Sequence, residues 1–188
     1  MHSLIIFASG KGSNARAIID YFKKNGLAHV SLIVSNKADA GVLDIAEEEG
    51  IPAVVIDKAR LDSSEFMQEL QSYNPTFIVL AGFLWKIPQS MVQLFPEKII
   101  NIHPALLPKY GGRGMYGHNV HEAVISAGEK ESGITIHYVD EVYDNGSKLL
   151  QAHCPVQPGD TAEVLAGRIH KLEHFFYPRT IEYLLENI

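Results

Sequence analysis

Two groups of residues in this 188-residue chain have the types and spacing that chemistry requires. The first is Asn101-Ile102-His103-Pro104, to which Asp144 in Tyr143-Asp144-Asn145-Gly146 can be joined. If residues 101–103 are extended, Asn101 and His103 lie on one face, because side chains alternate along a strand. An amide and an imidazole aimed at one point suit a reacting carbonyl. The amide donates to a developing oxyanion, and a charged histidine adds positive charge or a proton. The same residues also have ordinary readings: Asn101 as a strand-end cap, His103 as a satisfied core histidine and Asp144 as a turn former.

The second group is Gly10-Lys11-Gly12-Ser13-Asn14. A turn of this kind between a strand and a helix presents free backbone N–H groups to an anion. Its glycines allow close approach, Ser13 and Asn14 supply side-chain donors, and Lys11 adds a charge. A tight strand–helix turn with an N-cap would use the same residues without a ligand. The spacing fits neither a Walker loop nor the full dinucleotide fingerprint.

The flanking elements must position both groups. Leu4 to Ala8 is a continuous apolar run, as in a strand buried on both faces. A helix follows with Ala17, Ile18, Tyr21 and Phe22 on one face and Gly26 as its stop. Strands are expected at 30–34, 53–56, 76–83 and 99–103, and helices at 40–49 and after Pro88. Asp62 and Glu65 have capping-box spacing for a helix running past Phe66 and Leu70. This alternation indicates an α/β fold: a Rossmann-like, mostly parallel sheet with helices on both faces. In open sheets of this kind ligands sit beyond the carboxyl ends of the strands, where Asn101 and His103 fall.

After Pro104 the pattern weakens through a glycine-rich stretch, 109–117. A helix is expected at 118–127, and a two-faced strand where Ile134, Ile136 and Tyr138 alternate with Thr135, His137 and Val139. A further strand is expected at 149–156. From Thr161 onward the chain reads as helix, with Pro178 as a break or kink. No repeat or linker divides the chain, so one domain, 1–188, is expected.

Composition is 46% hydrophobic and 20% charged, which argues against disorder. A net charge of −6 argues against nucleic-acid binding, since phosphate backbones select basic faces. No segment approaches the length of a membrane span. The lone cysteine, Cys154, precludes an internal disulfide and points to an intracellular, cytoplasmic protein. Beside Pro155 in an apolar stretch, it reads as a buried small hydrophobe rather than a nucleophile. His118 and His121 have i, i+3 spacing, but no further ligands complete a zinc site, so no metal is expected.

Six segments, in order, resemble the phosphoribosylglycinamide formyltransferase family of folate-dependent formyltransferases: residues 8–14, 34–40, 80–83, 101–110, 133–137 and 144–146. The Asn-Ile-His-Pro-x-Leu-Leu-Pro-Lys-Tyr segment is specific for folate-dependent formyl transfer, and the Gly-Lys-Gly-Ser-Asn turn separates this branch from the other formyltransferases. The resemblance implies formyl transfer from 10-formyltetrahydrofolate to the amine of glycinamide ribonucleotide, in de novo purine biosynthesis. It implies Asn101, His103 and Asp144 as the catalytic trio, with His137 in support. Gly12, Ser13 and Asn14 would hold the phosphate and Glu173 the glycinamide. The folate would lie along Leu84, Trp85, Lys86 and Ile87, under a loop of Asp140, Glu141, Val142, Tyr143 and Asp144. The N-terminal half would thus bind the nucleotide phosphate, and the C-terminal half the folate and catalytic loop.

In the implied mechanism the amine attacks the formyl carbon while Asn101 and protonated His103 stabilise the oxyanion. Asp144 would keep His103 charged, because a nearby negative charge raises an imidazole pKa. The partners are then two small molecules, with formyl-folate a cosubstrate and no tightly bound cofactor, in a monomer or homodimer. An arginine that some members direct at the folate tail is replaced here by Asp62-Ser63-Ser64-Glu65, with Arg60 nearby but not aligned. Arg113 could meet an anionic group but reads first as a solvated loop residue, and His170 stands at a position near the substrate where Gln or Lys is frequent. A formyl-folate hydrolase of the same fold would share the trio, but usually carries an N-terminal regulatory domain, and this chain starts directly at its first strand. A methionyl-tRNA formyltransferase would need a C-terminal domain and a basic RNA surface. A non-catalytic module would use the phosphate turn alone.

Overall fold

The computed structural model describes residues 1–188. Strand β1 (His2–Phe7) is an interior strand of a seven-stranded sheet of order β3-β2-β1-β4-β5-β6-β7, in which the others are β2 (Ala28–Ser35), β3 (Ala53–Val55), β4 (Phe77–Leu80), β5 (Ile99–His103), β6 (Glu131–Tyr138) and β7 (Lys148–Pro155). The first five strands pair in parallel; β6 and β7 are antiparallel. The apolar run of β1 has the expected cause. Leu4, Ile6 and Ala8 enter one hydrophobic core and Ile5 and Phe7 the core on the other face.

Helices cover both faces: α1 (Ser13–Asn25), α2 (Gly41–Glu49), α3 (Lys58–Leu61), α4 (Ser64–Ser72), α5 (Gln89–Leu94), α6 (His118–Ser126) and α7 (Ala162–Glu186). The chain moves from β1 to one side for β2 and β3, then returns to the other side for β4 and β5. The switch point therefore lies between the carboxyl ends of β1 and β4, where open sheets form a crevice.

Several expectations shift in detail. Strand β4 ends at Leu80 rather than Phe83, because Gly82 takes φ 78° and turns the chain out of the sheet. The apolar residues continue past the strand because Phe83 packs edge-on against Phe7, at 5.2 Å between ring centroids. Helix α4 is capped by Ser63, which accepts from Phe66 N; the Asp62 carboxylate instead accepts from the Ser90 hydroxyl. The short helix α3 has no counterpart in the sequence reading. Helix α7 is not broken at Pro178 but runs continuously for 25 residues. Tertiary anchoring explains this. Tyr177 is fully buried, and its hydroxyl shares one proton between Leu80 O at 2.9 Å and Ile100 O at 3.1 Å. Those bonds hold the middle of α7 across the ends of β4 and β5.

Candidate active site

The turn after β1 leaves the sheet at Ser9, whose buried hydroxyl ties three strand ends together. It donates to Asn36 Oδ1 at 2.5 Å and accepts from Leu84 N at 2.9 Å, while Ser9 N donates to Gly82 O. Gly12 then caps α1 with φ 79° and no side-chain cap bond, so the first N–H groups of the helix stay open. An added Cβ at Gly12 would lie 2.8 Å from Val42 Cβ and 2.9 Å from Ile45 Cδ1, so α2 packs where a side chain would stand. The first turn of α1 holds no acidic residue, and the positive end of the helix dipole therefore faces the crevice unopposed.

One cavity of about 710 Å³ starts at this turn and extends to Leu84–Ile87 and the 139–144 loop. It is lined by Gly12, Ser13, Asn14 and Glu173 at one end, by Asn101, His103, His137 and Asp144, and by Leu84, Trp85, Lys86, Ile87, Asp140, Val142 and Tyr143. The structure thus brings together every residue singled out in the sequence except Glu141. Glu141 faces away from the cavity. Its carboxylate accepts from Gln89 Nε2 at 2.9 Å and Gln93 Nε2 at 3.4 Å, anchoring the loop to α5.

Strand pairing places the trio. Asn101 lies opposite His137, and His103 opposite Thr135, in the antiparallel β5–β6 ladder, so these four side chains share a face. Ile100, Ile102, Ile134 and Ile136 take the other face into the core. Thr135 Oγ1 donates to Ala105 O at 2.7 Å and accepts from Leu107 N at 3.0 Å, which fixes the chain just beyond His103. The Tyr138 carbonyl can only accept, so His137 Nδ1, 2.8 Å away, carries a proton. In the neutral ring Nε2 then accepts from Asn101 Nδ2 at 3.3 Å. Asn101 keeps its second N–H for the cavity.

Asp144 sits in the left-handed region at φ 53° and accepts from Gly112 N at 2.9 Å. Its carboxylate lies 3.6 Å from His103 Nδ1 and 3.7 Å from His137 Nε2, contacts too long for hydrogen bonds but close enough to couple the charges. Burial pushes Asp144 up, yet the nearby His137 and His103 rings and the Gly112 N–H hold it below the ordinary value. His103 behaves differently from the sequence expectation. It is only 4% exposed, and burial lowers its pKa; Asp144 and the Tyr110 carbonyl pull upward without compensating, and His137 adds to the lowering. Desolvation outweighs the neighbouring carboxylate, so the free protein favours neutral His103.

Glu173 is 6% exposed and accepts from Asn14 Nδ2 at 3.0 Å. Burial drives its pKa from 4.5 up to about 7, against the opposing Asn14 bond. Asn14 Oδ1, on the other side of the amide, has no protein partner.

Several residues at or beside the cavity gained no firm binding role from the sequence. Ser9 looked like part of the turn, though it stitches the crevice. His121 was weighed only as a metal ligand. It is 3% exposed, lines the cavity and leaves Nδ1 unpartnered, with its pKa lowered to about 4 chiefly by burial. It does not converge with His118, which is exposed and lies 3.0 Å from Glu122. Arg113, expected to be solvated, is exposed but stands on the cavity wall with Tyr116. His170 also lines the cavity. Arg60 does not; it pairs with Glu69 at 2.8 Å. Cys154 is buried, and burial raises its thiol pKa, as suits a packing residue. No helix is long and apolar enough to cross a membrane.

The family model for formyl transferases matches residues 2–181. The phosphoribosylglycinamide formyltransferase of Bacillus subtilis is 38% identical over 192 residues, covering 98% of this chain and 95% of that protein. The chloroplastic phosphoribosylglycinamide formyltransferase of Vigna unguiculata is 42% identical over 97% of this chain, which spans only 61% of that protein's length. Among solved structures, glycinamide ribonucleotide transformylase 1 from Geobacillus kaustophilus superposes with a TM-score of 0.89 at 37% identity, covering 98% of this chain and 99% of that one.

Proposed function

The chain belongs to the formyl transferase family, and on that premise we propose that it transfers the formyl group of 10-formyltetrahydrofolate to the amine of 5'-phosphoribosylglycinamide. One observation carries the reading. A single cavity joins an uncapped helix N-terminus, the Asn101–His103–Asp144 group and the Leu84–Ile87 segment. An anionic acceptor and a ring-bearing donor would meet at that group. Open N–H groups at Ser13 and Asn14 suit the phosphate. Glu173, beside Asn14, is our contact for the glycinamide end. Leu84 to Ile87, under the Asp140–Asp144 loop, are our contacts for the folate ring. The bond between Asn14 and Glu173 spans 159 positions, so both halves of the chain serve the nucleotide end.

The amine nitrogen attacks the formyl carbon, forming the new C–N bond while the carbonyl pair moves to oxygen. The free Asn101 N–H donates to that oxyanion. Neutral His103, with its Nε2 proton on Tyr110 O, offers Nδ1 beside Asp144 as the acceptor for the proton the amine loses. The imidazolium therefore forms as the oxyanion forms, and Asp144 stabilises it at that moment. Collapse breaks the bond from carbon to the folate nitrogen, which takes up the proton. The donor is a cosubstrate, and no metal or tightly bound cofactor enters these steps.

We read the protein as a monomer or a homodimer. Cys154, buried and single, fits a reducing cytoplasmic setting, whereas the Vigna relative is named as chloroplastic. The test follows absorbance as formyl-folate loses its formyl group, with and without the ribonucleotide. We expect loss only when the nucleotide is present. Equal loss without it would make the protein a hydrolase and leave the phosphate turn in need of another ligand. The companion variant His103→Ala should keep nucleotide binding and lose most turnover, about a hundredfold or more for removal of a proton-transfer group. A binding module alone would not need His103.

A further inference from the structure

A hydrogen bond at the second ring nitrogen of His103 bears on its chemistry. The His103 Nε2–H donates to Tyr110 O at 2.7 Å. A carbonyl only accepts, so this contact assigns the proton to Nε2 and leaves Nδ1 as the ring atom that changes protonation beside Asp144. Everything then depends on where the Tyr110 carbonyl is held. Tyr110 has φ 56°, a left-handed conformation that bulky residues seldom adopt without external support.

The support comes from its own ring. The Tyr110 hydroxyl donates to Glu129 Oε1 at 2.8 Å, and Lys109 Nζ lies 3.1 Å from the same oxygen. Glu129 is fixed in turn at the end of α6, where Gly128 N donates to Ile125 O at 3.0 Å and Glu129 N to Val124 O at 3.4 Å. Val124 is a buried core residue. The Glu129 pKa is lowered, first by the Tyr110 hydroxyl and then by Lys109, so its acceptor is a carboxylate at neutral pH. Packing alone would not fix the ring, because Tyr110, Glu129 and Val124 border a second cavity of about 270 Å³ into which the ring could move.

We propose that Glu129 and Tyr110 are positioning residues for the reaction: the Glu129–Tyr110 hydroxyl bond holds the Tyr110 carbonyl on His103 and thereby fixes the tautomer that presents Nδ1 to Asp144. The inference rests on the catalytic reading of His103. The groups around that ring are Asp144 on the loop after β6, His137 on β6, His121 on α6 and the Tyr110 carbonyl itself. Among them, Asp144 and Tyr110 raise the imidazole pKa. Loosening Tyr110 therefore lowers it further and makes Nδ1 a weaker base.

The experiment compares Tyr110→Phe, Glu129→Ala, Glu129→Gln and the double variant Tyr110→Phe/Glu129→Ala with the wild type. It measures kcat, KM for the ribonucleotide, the pH profile of kcat and the imidazole titration of His103 by NMR. Tyr110→Phe and Glu129→Ala should each lower kcat about tenfold, as expected for a misplaced catalytic group, with KM little changed. The acid limb of the profile and the His103 titration should both move to lower pH. Glu129→Gln, whose amide oxygen still accepts, should restore most of the activity. The double variant should be no worse than either single one, since both cut the same bond. Folded Tyr110→Phe and Glu129→Ala proteins with the wild-type kcat and titration would overturn the proposal. If Tyr110→Phe does not fold, the contrast between Glu129→Ala and Glu129→Gln decides in the same way. His103→Ala, assayed alongside, separates the two levels: turnover surviving there sinks the catalytic reading itself, whereas its loss with intact Tyr110→Phe activity sinks only the positioning role.

Discussion

Replacing Glu173 by Gln should make the protein more stable at alkaline pH while impairing its use of the nucleotide. Glu173 lies on α7 at 6% exposure, with Asn14 Nδ2 as its partner. Its pKa stands at about 7 in the fold, against 4.5 for a free glutamate side chain. At about 1.4 kcal/mol for each pH unit, that displacement amounts to on the order of 3 kcal/mol. The sign follows from proton counting. Below pH 4.5 both states hold the proton and the fold has its full stability. Between 4.5 and about 7 the unfolded chain has released the proton and the folded chain has not, so stability falls as pH rises. Above about 7 the whole penalty is present. Glutamine keeps the shape and the acceptor for Asn14 but cannot ionise.

Urea unfolding of both proteins from pH 5 to pH 8.5 isolates this group, because all other titrations are common to the pair. The stability of Glu173→Gln minus that of the wild type should grow by roughly 2–3 kcal/mol across that range. A difference that stays flat with pH would show that Glu173 is already ionised in the free protein, and the burial argument would fail. If the glycinamide end of the nucleotide prefers the carboxylate, nucleotide binding near pH 7 should also release a proton from the wild type and none from the variant, measurable by calorimetry in two buffers of different ionisation enthalpy.

Gly12→Ala should cost roughly 2–4 kcal/mol, combining a left-handed backbone with overpacking against Val42 and Ile45; a variant with the wild-type urea midpoint would refute that packing. His121→Gln should flatten the acid side of the stability curve. The folded pKa of His121 is depressed from 6.5 to about 4, so the stability it contributes is complete above pH 6.5 and is lost as pH falls toward 4. Urea midpoints at pH 7 and pH 5 test this, and an equal loss in wild type and variant would count against a buried neutral His121.

Much of the fold was legible because it rests on local regularities. The apolar run at 4–8 reads as a strand buried on two faces because each alternate residue does enter a different core. The parity of Asn101 and His103 is a property of any strand, so their shared face needed no tertiary knowledge. The glycine turn was legible as a strand–helix turn from its residue types, and Gly12 does take a positive φ; that the helix start is left uncapped was decided by the structure. Local signals also misled where tertiary packing took over. The apolar residues after Leu80 resembled more strand, yet Phe83 is apolar because it covers Phe7 from outside the sheet. Pro178 removes a helical donor, yet Tyr177 bolts α7 to two strands and carries it through.

By itself, then, the amino-acid sequence determined the order of the strands and of every helix but α3, the polarity of most of the sheet and the residue types able to act on a carbonyl, because these follow from spacing along a few turns or strand positions. Tertiary structure alone decided the charge states. A carboxylate beside a histidine suggests an imidazolium, but His103 is held neutral by desolvation, which depends on everything packed around it. The same holds for Glu173, whose raised pKa and Asn14 partner arise from a contact spanning 159 residues. Tertiary structure also decided which partners some side chains reach: Glu141 turns out to α5, and the Glu129 carboxylate reaches His103 only through the Tyr110 ring and backbone. Spacing describes neighbours along the chain; solvent exclusion and long-range hydrogen bonds are set by neighbours in space.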